Sequence, residues 1–73
     1  IRQKICEYLI LQYKEQNSLC IKLTMTKKDW ADKIGVQRPS LSRELIKMKE
    51  EGIIDFHKNI ITIEDLGTLL EIS

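Results

Sequence analysis

At 73 residues the chain has room for one domain and no more, and a domain this short buries a modest share of its surface. Hydrophobic residues make up 42% and charged ones 32%, a globular balance that excludes a disordered chain, and no run approaches the roughly 18 apolar residues of a membrane span. The net charge of +1 alone names no polyanionic partner, so any basic patch must come from how the charges are distributed.

The first residues already sit inside a helical pattern. Residues 1 to about 16 predict a helix with Ile1, Ile5, Tyr8 and Leu9 on one face and Arg2, Gln3, Lys4 and Glu7 elsewhere. A start at Ile1 within that pattern reads as a fragment of a longer chain, and no secretory signal is visible. The run Tyr8-Leu9-Ile10-Leu11 is wider than one stripe needs, which leaves two readings open: a helix packed on two sides, or a face meant for polypeptide outside the fragment. Asn17-Ser18 breaks the helix. The alternation from Leu19 to Met25 then predicts a short strand.

Thr26-Lys27-Lys28-Asp29 has the form of a capping box, with the threonine hydroxyl placed to accept from a first-turn amide. From Lys27 a second helix carries Trp30, Ala31 and Ile34 inward, and Gly35 ends it. A third helix runs from about Arg38 to Glu51, with Pro39 in its first turn, Leu41, Leu45 and Met48 as its buried stripe, and Gly52 as its stop. Ile53 to Phe56 and Ile60 to Ile63 form two strands of a hairpin tipped by His57-Lys58-Asn59. Glu64 to about Glu71 predicts a last short helix carrying Leu66, Leu69 and Leu70, weakened by Gly67. The fold class is therefore mainly α with a small antiparallel sheet. Cys6 and Cys20 are too few and too far apart for a metal cluster and read as reduced core residues of a cytoplasmic protein; a bridge between them has no support.

Two short helices joined by a tight turn, the second followed directly by a hairpin, make a winged helix-turn-helix layout. Ala31 is small where the helices cross, Gly35 allows the reversal, and Leu41 plugs the angle between them. With the leucine stripe inside, about 100° per residue turns Pro39, Ser42, Arg43 and Lys47 outward, with Arg38 flanking them. Arginine suits bidentate bonding to guanine in a major groove, while serine and lysine contact bases or phosphates less selectively. A lone helix with this face would be read as solvated surface. Attached to the turn and hairpin, it reads as a DNA-binding face.

The segment Gly35-Val36-Gln37-Arg38-Pro39-Ser40-Leu41-Ser42-Arg43, followed by Glu51-Gly52-Ile53-Ile54, resembles the C-terminal domain of Crp/Fnr transcription regulators, and the likeness covers nearly the whole chain. The resemblance implies one winged-helix domain over residues 1–73, lacking the sensor domain and dimerisation helix of such regulators. It implies base-edge contacts from Arg38, Ser42 and Arg43, supporting or backbone contacts from Gln37 and Ser40, and phosphate contacts from Thr26 and Lys28. His57 matches a wing-tip position near the DNA backbone, with Lys58 beside it as a plain charge. Many members carry glutamate where this chain has Pro39; proline cannot accept from cytosine, so their operator sequence does not carry over.

The resemblance also implies a homodimer on a near-palindromic duplex, with RNA polymerase as a further partner. No cofactor is expected in the fragment itself, a small effector belonging to the missing sensor domain. Alone, the fragment is expected to be monomeric or weakly associated and to bind DNA poorly. Ile46 lies toward the outer face, where packing against the wing is favoured over contact with a thymine methyl. The alternative function is a winged helix used for protein–protein contact, since fold does not dictate function. Residues 38–47 weigh against it, because a protein-docking face favours aromatic and aliphatic anchors, whereas this one offers two arginines, two serines and a lysine. No nucleophile–base pair or phosphate-cradling loop suggests an enzyme.

Overall fold

A computed structural model describes residues 1–73. In chain order its elements are α1 (Arg2–Gln16), β1 (Cys20–Lys22), α2 (Lys27–Ile34), α3 (Arg38–Glu50), β2 (Ile54–His57), β3 (Ile60–Ile63) and α4 (Leu66–Ile72). Asn17 ends α1 in the left-handed region at φ 51°, a conformation its short polar side chain tolerates. Ile5, Cys6, Tyr8, Leu9 and Ile10 are buried because α1 packs on α4 and on β1. The wide apolar run is thus explained within the domain as far as Ile10, while Leu11 stays 52% exposed. Ile1, expected on the buried face, is exposed because it precedes the first turn and only its carbonyl is engaged, by the amide of Ile5.

The sheet has the order β1-β3-β2 with both pairings antiparallel. Ile21 faces Ile61, and Ile54 faces Ile63. All four are buried, so the period-two pattern puts their common face on the core. The same period turns Cys20 outward, opposite Thr62, with 3.9 Å between Sγ and Oγ1. This corrects the expectation that both cysteines lie in the core: Cys6 is buried, Cys20 is exposed, and both are free thiols. Burial pushes the Cys6 thiol above its ordinary value of 9.0, which keeps it protonated and unreactive.

Helices α2 and α3 end by the same device. Gly35 and Gly52 both take φ +77°, and the residue after each donates back five positions, Val36 to Ala31 at 2.9 Å and Ile53 to Met48 at 3.0 Å. Each stop therefore also returns an apolar residue to the core: Ile53 is buried and Val36 is packed against the cluster. Helix α4 begins at Leu66, two residues later than the apolar pattern suggested. Asp65 supplies the reason: its carboxylate accepts from the amide of Thr68 at 3.1 Å and from its hydroxyl at 2.8 Å, fixing the start. Leu69 is buried there and Leu70 is exposed. Trp30 is fully buried at the centre, its ring 4.9 Å from that of Tyr8, although its indole N–H finds no acceptor.

Candidate nucleic-acid interface

Leu41, Leu45 and Met48 are buried, and this single stripe orients α3. The opposite side is then forced outward: Pro39, Arg43, Ile46 and Lys47 are exposed, Arg38 is exposed beside them as the first residue of the helix, and Ser40 and Ser42 are half-buried. Two ion pairs from α1 hold the helix from the side. The Arg2 guanidinium bonds Glu44 through Nε and takes both carboxylate oxygens of Glu51, at 3.0 and 2.7 Å. The hydrogen bond to Arg2 lowers the Glu51 carboxyl below its ordinary 4.5. These pairings span 42 and 49 residues of sequence, and no local pattern announces them.

The tight turn gathers part of the expected site. Lys28 from α2, Gln37 from the turn and Arg38 from the start of α3 line one open depression, together with Asp32, Gly35, Val36 and Pro39. Thr26 caps α2, its Oγ1 accepting from the amide of Asp29 at 3.1 Å, so its hydroxyl hydrogen remains available to an outside acceptor. The two helix starts differ electrostatically. Helix α2 has its cap and Asp29 in the first turn, whereas α3 has neither a side-chain cap nor an acidic first-turn residue. The positive end of the α3 dipole is therefore left for an external anion.

Arg43 lies along the outer face with its Nε donating to the Pro39 carbonyl at 3.3 Å, which steadies the stem and leaves the terminal nitrogens outward. Charge pairing separates the basic residues into two groups. Arg2 and Lys49 are engaged by acids, whereas the other basic residues form no ion pair, among them Lys28, Arg38, Arg43, Lys47 and Lys58. A net charge of +1 thus conceals a surface on which the cations of the turn, the outer face of α3 and the wing tip are left uncompensated.

The wing is a short hairpin. His57 pairs with Ile60 and so belongs to β2, which narrows the expected three-residue tip to Lys58-Asn59. Lys58 adopts φ 54°, the left-handed conformation that a two-residue reversal demands. The tip is anchored from outside the hairpin, since the amide of Leu23 donates to the Asn59 carbonyl at 2.8 Å. His57 and Lys58 are exposed there, on a separate element from the α3 face.

Along the wing, the Phe56 ring is met by two ammonium groups, Lys27 of α2 and Lys49 of α3, each 4.9 Å from its centroid, and Lys49 also reaches Asp55 at 3.3 Å. Sequence pattern does not announce this three-way contact. Alternation along β2 marks Phe56 as sharing the Ile54 face, but nothing local predicts the two lysines. Ile46, expected to pack on the wing, is 48% exposed and stands outside the core cluster, whereas Phe56 of β2 packs against that cluster.

Solved structures show the same arrangement of elements. The CO-dependent transcription factor CooA from Carboxydothermus hydrogenoformans superimposes with a TM-score of 0.88 at 22% identity, over 99% of this chain and 36% of that one. FixK2 from Bradyrhizobium japonicum gives 0.86 at 18% identity, over 99% and 37%. A Crp/Fnr-family regulator from Eubacterium rectale gives 0.85 at 21%, over 99% and 32%. The chain therefore spans about a third of the length of these relatives, and they establish its fold as a winged helix-turn-helix. No curated protein sequence matches it significantly. The family model of the Crp-like helix-turn-helix domain matches residues 3–72, nearly the entire sequence, and the chain belongs to that family.

Proposed function

We propose that this chain is the sequence-reading domain of a transcription regulator, binding duplex DNA with α3 in the major groove and the β2–β3 wing beside the sugar–phosphate backbone. The observation that carries this reading is the outer face of α3, where Arg38, Arg43 and Lys47 stand exposed and unpaired behind a rigid leucine stripe. Arg38, Ser42 and Arg43 take the base edges. Thr26, Lys28, Gln37 and Ser40 hold phosphates or support the readers, and Lys47, His57 and Lys58 flank the duplex. No acceptor for a cytosine amino group stands at Pro39, so the operator differs there from that of glutamate-bearing members.

The full regulator acts in the cytoplasm as a homodimer. Two copies of α3, about 34 Å apart, enter successive major grooves of a near-palindromic site, and a separate sensor domain bound to a small effector sets their spacing. Contact with RNA polymerase belongs to that assembly. No chemical step is assigned to the chain; its work is positioning and recognition.

A salt titration of binding to duplex DNA tests the reading directly. Each phosphate neutralised contributes a slope of about −0.9 in log affinity against log salt, so a contact set of this kind predicts steep salt dependence. Binding that ignored salt, or a face that captured protein rather than duplex, would replace this function with that of a protein-docking module.

A further inference from the structure

Most of the exposed large apolar residues of the molecule lie away from the recognition helix; Ile46 is on it. At about 100° per residue, Pro39, Arg43, Ile46 and Glu50 form a line running opposite the Leu41, Leu45 and Met48 stripe. Ile46 therefore stands on the outward face about 50° from its midline, with Lys47 about as far to the other side. Arg43 precedes it and Lys47 flanks it, and all three are exposed. Glu50, one turn further on, carries the wrong charge for a phosphate-lined groove, which places the end of close contact near Ile46.

An aliphatic side chain in this setting has one kind of partner in a major groove. Base edges there present donors and acceptors that an isoleucine cannot satisfy, with one exception: the C5 methyl group of thymine. We propose that Ile46 is a specificity-determining residue that selects a thymine by burying that methyl against its own branched side chain. The inference rests on the DNA-binding reading given above and adds one base to it. Ile46 is three residues beyond Arg43, about 4.5 Å further along the axis, so the thymine lies within about two base pairs of the base that Arg43 reads.

The test replaces the methyl and nothing else. Duplexes selected by the intact regulator are synthesised with uracil in place of each thymine in the half-site, and affinities are compared for the natural protein and for Ile46→Ala. Loss of one buried methyl predicts about a fourfold weakening at a single position, equivalent to about 0.8 kcal/mol. At that position Ile46→Ala should bind thymine and uracil duplexes equally. 5-Methylcytosine in place of that thymine should restore part of the apolar contact relative to unmodified cytosine in the natural protein only.

A natural protein indifferent to uracil at every position, while still binding the selected duplex, overturns the role of Ile46 and leaves DNA recognition standing. An uracil penalty that persists unchanged in Ile46→Ala likewise assigns the methyl to another residue. Failure to select any duplex removes the underlying function instead. Because Ile46 is exposed and outside the core, its alanine variant should fold normally, and an unchanged thermal transition checks this.

Discussion

Lys28 and Arg43 are both exposed and both without an acidic partner, yet the proposed DNA-binding reading gives them different work. Arg43 is steadied on the outer face of α3 by its bond to the Pro39 carbonyl, a geometry suited to presenting a fixed fork to one base. Arg43→Ala should therefore remove about 1–3 kcal/mol of discrimination at one base pair, measured by competition among single-substituted duplexes. Lys28→Ala should weaken all sequences alike and lower the salt slope by about 1. The opposite pattern would show that reader and positioner have been exchanged. Lys58 presents a third case, since at φ 54° it holds a conformation that disfavours a side chain. Lys58→Gly should raise unfolding stability by up to about 1 kcal/mol while weakening binding to every duplex, and a variant that lost stability would show that the lysine packs at the tip.

At the level of elements, α3 is largely legible in the sequence. Its leucine stripe is periodic, Pro39 marks its start and Gly52 its stop, and each is a local cause acting within a few residues. Gly52→Ala meets open space at its new Cβ, so only the φ of +77° resists it, and a cost of about 1–2 kcal/mol in chemical denaturation is expected. Leu41→Ala, by contrast, empties the angle between α2 and α3 and should cost about 2–5 kcal/mol. What is illegible joins residues far apart. The Arg2 pairs depend on how α1 meets α3, and the two lysines about Phe56 on how the hairpin meets α2 and α3. Neither meeting is encoded in the pattern of a single element. His57 falls within β2 rather than at the tip for the same reason, because the register across the hairpin, rather than residue type, decides where a strand ends.

The whole molecule has an acid sensitivity that follows from its pairing. The Glu51 carboxyl is lowered from 4.5 by Arg2, and those of Asp55 and Asp65 from 3.8, Asp55 chiefly by the Phe56 amide and Asp65 by Thr68. A depressed carboxyl contributes stability that is present above its unfolded value and is lost as pH falls toward the folded one. Unfolding free energy should thus decline below about pH 5, and Glu51→Gln should flatten that decline; an unchanged profile would show that the surface pair is fully screened. Binding strength is also a property of the assembly. One copy of this domain should bind a half-site weakly, and nanomolar affinity for a single half-site in a low-salt gel shift would contradict the proposed dependence on two linked copies.

Arg2 holds α3 at Glu44 and at Glu51, seven residues or about 10 Å apart along the helix. Both carboxylates converge on the one guanidinium, so a single side chain neutralises two negative charges that the helix would otherwise bring together. Arg2→Ala leaves Glu44 and Glu51 as neighbours of like charge, with nothing between them but solvent.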